Sequence, residues 1–217
     1  MSAAYIAQMV EYYDGAKYGS DWDQVRRSYV DDDAHMKPEL GRLMGKLQQT
    51  FKGRRVLELA AGGGRWTRYL AVTAESVLAT DTSAQILKIG RELVPAANVQ
   101  FRRCDAFELG DLAGPFDGAF HFNFINHLPY GSWPRLLEQV HGKLTPGAVV
   151  VMGGQLYRGP QSDGGDFYGE RGCSNGKRYK LIDNWPEPEQ VQDLIGHLAR
   201  DIEFEIDCGW WVKYRVP

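Results

Sequence analysis

The chain has 217 residues, a net charge of −3, and 25 glycines, about 11% against a usual share of roughly 7%. A hydrophobic share of 43% with six Trp, eleven Tyr and nine Phe supplies a core and excludes wholesale disorder, while the mildly acidic balance argues against a protein that grips phosphate backbones. At about 150 residues per domain one domain is the default, and no apolar run reaches the roughly 20 residues of a membrane span.

In chain order, Met1-Ser2-Ala3-Ala4-Tyr5 soon meets Gln8 and Glu11, which is not a signal peptide pattern. Residues 3–13 read as a short helix with Tyr5, Met9 and Tyr12/Tyr13 on one side. A turn with Gly15 and Gly19 follows, then helical patterns near 21–30 and 36–50, with Asp31, Asp32 and Asp33 as a solvated turn or helix start. Arg55-Val56-Leu57-Glu58-Leu59 is a short apolar run bounded by glycines, the pattern of a buried strand. A helix is expected over 64–73, a second strand over 76–81, and a helix capped by Ser83 running to about Leu93. Strands follow at 99–101 and 118–124, a helix at 132–144, and a fifth strand at Ala148–Met152. Beyond the glycine-rich segment 153–176 come a strand at 178–183, a helix at 187–199, and strands at 202–207 and 210–216 that form a hairpin through Gly209. Alternation of strands and helices predicts an α/β fold: a doubly wound, mostly parallel seven-stranded sheet with a C-terminal antiparallel hairpin and an N-terminal helical extension. The expected division is an N-terminal helical cap over 1–50 and a ligand-binding unit over 51–217, one structural domain overall.

The glycines cluster twice, at Gly62-Gly63-Gly64 and across Gly153 to Gly176. In an open α/β sheet the ligand crevice lies beyond the carboxyl ends of the strands, where the first cluster falls. Glycine there allows a sharp turn and close approach of a ligand to the backbone. A dinucleotide site would want a further glycine three residues after Gly64, but Thr67 stands there, with Arg65 and Trp66 between. Glu58, at the end of the first strand, would oppose a pyrophosphate yet suit an ammonium. Asp81 ends the second strand, placed to take two ribose hydroxyls, and Asp105 follows the third, placed to accept from an adenine amino group. A nucleoside with positive charge and no phosphate meets these requirements, and S-adenosyl-L-methionine (SAM) is such a ligand.

At these residues the sequence resembles the class I (Rossmann-like) SAM-dependent methyltransferases, in particular bacterial small-molecule enzymes. Val56-Leu57-Glu58-Leu59-Ala60-Ala61-Gly62-Gly63-Gly64-Arg65-Trp66-Thr67 looks like their glycine motif, with Ala60 where the first glycine is commonest. Ala79-Thr80-Asp81-Thr82-Ser83 resembles the ribose-binding strand end, and Cys104-Asp105-Ala106-Phe107 the adenine-side acidic motif. Phe116 to Leu128, including Asn123, Phe124 and His127, looks like the fourth-strand motif, and Leu144-Thr145-Pro146-Gly147-Ala148 the turn before the fifth strand. The resemblance implies adenosine between Asp81 and Asp105, with methionine near Glu58, Ala60, Gly62, Gly64 and Asn123. Trp66, Thr82, Ala106, Phe107 and Phe124 are the neighbouring cofactor contacts it suggests. In similar enzymes a tyrosine from the N-terminal helices reaches the cofactor, which makes Tyr13 and Tyr18 candidates.

Methyl transfer from a sulfonium is an in-line displacement, so the protein must orient the acceptor and remove any acceptor proton. His121 and His127 flank the end of the fourth strand, and the family position favours His127 as the base. The expected acceptor is the O or N atom of a small metabolite, aromatic or heterocyclic, under a lid built from Trp22, Trp66 and segment 153–176. Neither nucleic acid nor membrane is an expected partner, and the chain is expected to act as a monomer or homodimer. Cys104, Cys173 and Cys208 are odd in number, widely spaced and without metal-ligand spacing, which fits a reducing cytoplasm. The alternatives are other SAM chemistry such as cyclisation, or a SAM-binding module without catalysis. A nicotinamide dehydrogenase is opposed by Glu58 and by the missing third glycine.

Overall fold

The protein is described from a computed structural model, which covers residues 3–13, 23, 24, 26, 27, 38–155, 166–173, 176–206 and 209–217. Strands β1 (Arg55–Glu58), β2 (Ser76–Asp81), β3 (Val99–Arg103), β4 (Phe116–Phe122), β5 (Leu144–Gln155), β8 (Arg200–Ile206) and β9 (Gly209–Arg215) form a seven-stranded sheet in the order β3-β2-β1-β4-β5-β9-β8. The first five are mutually parallel, and β9 runs antiparallel to both β5 and β8. This is the predicted doubly wound sheet with its closing hairpin. Because β1 lies between β2 and β4, the strand order reverses there, and the β1 and β4 carboxyl ends open the crevice.

Apolar runs explain the central strands: Val56, Leu57 and Glu58 are all buried, as a parallel strand covered on both faces must be. On one face Leu47 and Phe51, at the end of helix α2 (Pro38–Thr50) and just beyond it, pack with Val56, Val77, Phe101, Phe120 and Val151. On the other face Leu57, Ala119, Val150 and Met152 meet Trp133, Leu136, Leu137 and Val140 of helix α5 (Trp133–His141). Helix α4 (Ala84–Leu93) starts where predicted, its Ser83 hydroxyl accepting from the Ile86 N–H at 3.2 Å. The helix expected over 64–73 is shorter: only α3 (Thr67–Leu70) is α-helical, because the chain enters and leaves it through tight turns such as Tyr69 N–H to Trp66 C=O. Helix α6 (Pro188–Ile195) is closed by a capping box between Glu187 and Gln190, with Pro188 in the first turn.

The larger departure lies in the second glycine cluster. Gly153, Gly154 and Gln155 continue β5, and Tyr168–Gly172 is a strand, β6, paired antiparallel with β7 (Arg178–Ile182). Glycines at Gly169 and Gly172 hid β6 from pattern reading, since glycine weakens a strand and supplies no alternating side chain. Gly169 is required there for a different reason: a Cβ would come within 2.7 Å of Asp183 Oδ2. Helix α1 (Ala3–Glu11) lies against this hairpin, with Tyr12 buried on Tyr179 and Leu181. Among the described residues no helix is long and apolar enough to cross a membrane.

Candidate active site

The first wall of the crevice is the loop after β1. Gly62 and Gly64 have φ of +56° and +80°, and a Cβ on Gly64 would sit 2.9 Å from Val94 Cγ2, so glycine is needed there for both conformation and space. Ala60 also has a left-handed φ, +50°, which accounts for glycine being the commoner residue at that point. The loop is tied to the next strand end: Gly62 N–H donates to Asp81 Oδ2 and Ser83 N–H to Asp81 Oδ1, each at 2.9 Å. Asp105 accepts from Phe107 N–H at 2.9 Å, holding the turn after β3, with Ala106 buried beneath it and Phe107 half-buried. Cys104 N–H donates to the Asp81 carbonyl at 2.9 Å, so the Asp81 and Asp105 ends are adjacent. Thr82 is exposed beside them, its carbonyl accepting from Arg103.

Glu58 is buried under this loop, 1% exposed, and accepts from the Thr67 hydroxyl at 2.7 Å. Desolvation, reinforced by the Asp81 charge and opposed by the Thr67 hydrogen bond, pushes its carboxyl up to about 8. Glu58, Asp81 and Asp105 thus gather at neighbouring strand ends, with Glu58 mainly protonated at neutral pH, an arrangement of carboxyl oxygens suited to hydroxyl and amine donors. Among the described residues no cluster of His, Cys, Asp or Glu has the arrangement of a metal site.

The second wall follows β4. Asn123 takes a left-handed φ of +55°, which asparagine tolerates, and its N–H donates to the Gly153 carbonyl at 2.9 Å. This turns the chain into the 3₁₀ turn Ile125–His127, with Phe124 half-buried before it. His127 Nδ1 lies 2.8 Å from the Ile182 carbonyl oxygen and 3.3 Å from Asp183 Oδ1. Both neighbours are oxygen acceptors, so Nδ1 carries the proton and the Nε2 lone pair is left available. Tyr13 packs its ring 5.5 Å from the imidazole, while the Tyr5 hydroxyl donates to the His127 carbonyl (2.8 Å) and accepts from Ile182 N–H (2.9 Å).

Two expected site residues are placed in the core. His121 points into the sheet face covered by α5, 1% exposed, and neither of its ring nitrogens has a hydrogen-bond partner among the described residues. Burial pushes its pKa down to about 3, so it stays neutral. Trp66 packs on Phe122 (4.8 Å between ring centres) and Phe120 (5.9 Å), and contributes to the core rather than to a lid. Trp210 and Trp211 are likewise sheet packing, with Trp210 stacked on Trp133. Tyr18, Trp22 and residues 156–165 lie outside the described residues. Sequence reasoning missed Asp183, Ile182 and the linking role of Tyr5, since they are remote in sequence from His127 and match no local motif.

The structure thus brings together a wound sheet with a glycine turn, three acids at adjacent strand ends and a half-buried histidine after β4. Residues 56–147 match a family model described as a methyltransferase domain. No curated protein sequence matches the chain. Among solved structures, the DhpI–SAH complex superposes with a TM-score of 0.77 at 23% identity, covering 100% of this chain and 98% of that one. Magnesium protoporphyrin IX methyltransferase (ChlM) from Synechocystis PCC 6803 with bound SAM gives 0.64 at 12% identity, covering 100% of both chains. SAM-bound CalS10, an amino pentose methyltransferase from Micromonospora echinaspora, gives 0.59 at 16% identity, covering 82% of this chain and 90% of that one. Residues 56–147 thus carry the sequence pattern of a methyltransferase domain, and the chain as a whole shares the fold of these SAM-dependent methyltransferases.

Proposed function

We propose that the chain transfers a methyl group from SAM to an oxygen or nitrogen atom of a small aromatic or heterocyclic metabolite, with His127 receiving the acceptor's proton. The observation that carries this reading is the hydrogen bond of His127 Nδ1 to the Ile182 carbonyl, which leaves Nε2 as the proton-accepting atom of the ring. SAM, when bound, supplies a sulfonium methyl group as electrophile, as the matched domain and the SAM- and SAH-bound neighbours support. Asp81 would hold the ribose hydroxyls, Asp105 with Ala106 and Phe107 the adenine, and Glu58 with the Ala60–Gly64 loop and Asn123 the amino acid portion. The bond from acceptor O or N to the methyl carbon forms as the C–S bond breaks. The acceptor proton passes to His127 Nε2, and the sulfur leaves as a neutral thioether.

Aromatic side chains around the second wall favour a flat acceptor: Tyr13 lies against His127, and Phe167 against Trp185 at 5.1 Å between ring centres. On this reading residues 1–50 act as the cap, α1 lying over the 3₁₀ turn and α2 seated on the sheet of the 51–217 unit. Segment 153–177 supplies acceptor contacts through the β6–β7 hairpin. Incubation with SAM and a panel of phenols, hydroxy-heterocycles and heteroaromatic amines, read by mass spectrometry, should yield S-adenosyl-L-homocysteine (SAH) and a methylated product. His127→Gln should slow turnover on a poorly acidic acceptor by about 10²- to 10⁴-fold. Absence of product across the panel, or full activity in that variant, would count against the reading.

A further inference from the structure

The residue behind His127 is an aspartate that the methyltransferase motifs do not include. Asp183 follows β7, its side chain only 8% exposed, and its two oxygens divide: Oδ1 lies 3.3 Å from His127 Nδ1, while Oδ2 pairs with Arg171 Nη2 of β6. The hairpin is shaped to admit it, because a Cβ at Gly169 would meet Oδ2 at 2.7 Å. Neighbouring bonds fix the frame: Asp183 N–H donates to the Phe167 carbonyl (2.9 Å), and Asn184 N–H donates to the Asn126 carbonyl (2.7 Å).

We propose that Asp183 is the positioning residue of the site, a carboxylate that holds His127 with its proton on Nδ1 and steadies the imidazolium formed when Nε2 takes a proton, and that Arg171 anchors the carboxylate. The assignment rests on the reading of His127 as the base. The step balances simply: a proton moves from the acceptor to Nε2, Nδ1 keeps its own, and Asp183 takes none. Arg171 pairs with Oδ2 and so fixes Oδ1 as the oxygen that faces His127. The other groups facing His127 are Tyr5 and Tyr13 from the α1 side. Tyr168, Asp166 and Tyr12 stand nearby, and Tyr5 stays protonated because burial pushes its hydroxyl up to about 12.

The test needs no acceptor. In full-length protein with ¹⁵N-labelled histidine, long-range ¹H–¹⁵N spectra report the tautomer of His127, whose signals are those missing from His127→Gln. The wild type should show the neutral ring protonated on Nδ1. Asp183→Asn should bring the Nε2-protonated tautomer into the spectrum, a change of about fivefold in the tautomer ratio, and Arg171→Gln should move the ratio in the same direction by less, because the carboxylate loses its anchor. A merely structural pair would leave the ratio where it was. A resting proton on Nε2 in the wild type overturns the proposal even if a variant fails to fold, and so does an unchanged tautomer ratio in Asp183→Asn. Should the ratio change while His127→Gln keeps full turnover, the Asp183–His127 pair stands and the assignment of His127 as base falls.

Discussion

The two walls of the crevice are held in different ways. The wall proposed for the cofactor is assembled from short-range pieces: Glu58 and Thr67 are nine residues apart, Gly62 and Asp81 nineteen. The wall proposed for the acceptor is stitched from remote ones, with Tyr5 reaching His127 across 122 positions and Ile182 across 177, and His127 reaching Ile182 across 55. Strand ends of a wound sheet bring the first set together automatically. The second set depends on a helix, a 3₁₀ turn and a hairpin docking correctly on one another. A scaffold of this kind can vary its acceptor wall while its cofactor wall stays put. Damage to one wall should therefore change SAM affinity, and damage to the other should change turnover or stability while leaving SAM affinity intact.

The largest effect should come from Asp81. Asp81→Ala removes the acceptor for the Gly62 and Ser83 amides and, on the proposed reading, both ribose contacts. Hydrogen bonds to a charged group contribute about 1.5–3 kcal/mol each, so SAH affinity measured by calorimetry should fall by about a hundredfold or more. Unchanged affinity would remove the ribose from Asp81. Glu58 gives the next effect. Its carboxyl, ordinarily near 4.5, is pushed up to about 8 in the folded protein, chiefly by burial. The folded state therefore holds a proton that the unfolded state releases, and this contribution is complete below pH 4.5 and lost as pH rises through 8. Urea unfolding of the ligand-free protein should show stability declining over that window by on the order of 5 kcal/mol, and Glu58→Gln should flatten the decline. If the variant keeps the same slope, the retained proton belongs to another group.

The same contrast explains what was legible in the sequence. Glu58, the glycine turn, Asp81 and Asp105 sit at fixed offsets from strands that apolar runs reveal, so periodicity and motif spacing located them together. His127 was visible for the same reason, one turn beyond β4. Its partners were not, because nothing in Ile182-Asp183-Asn184 announces that this stretch will lie against residues 126–128. His121 and Trp66 show the converse: polar or amphipathic residue types near a motif suggested function, but strand parity turned His121 into the core and the turn before α3 put Trp66 against Phe120 and Phe122. Strand β6 was hidden because the glycine that admits Asp183 looks, in sequence, like a loop residue.

Tyr5 tests the acceptor wall at smaller cost. Tyr5→Phe leaves the His127 carbonyl and the Ile182 amide without the hydroxyl that joins them, two linked hydrogen bonds of about 1 kcal/mol each. Thermal unfolding should occur a few degrees lower and methyl transfer should slow, with SAH affinity unchanged within about twofold. A loss of SAH affinity equal to the loss of turnover would show that the two walls are not separable at this point.

The smallest effect sits on the cofactor wall, where two opposing terms meet at one residue. Ala60 holds a φ of +50°, where a Cβ costs roughly 1 kcal/mol, and glycine would relieve that strain. Glycine also adds freedom to the unfolded chain, which opposes the gain by about 0.5–1 kcal/mol. The two nearly cancel, so Ala60→Gly should change stability in urea by less than about 0.5 kcal/mol, and the lost methyl should leave SAH affinity within about threefold of wild type. Ala60→Val sharpens the contrast: a β-branched residue at the same φ is strained well beyond alanine, so stability and SAH affinity should fall together while the Nδ1 tautomer of His127 stays as it was. If Ala60→Val left the cofactor wall untouched and disturbed His127 instead, the turn after β1 would belong to the acceptor side, and the division between the walls would have to be redrawn.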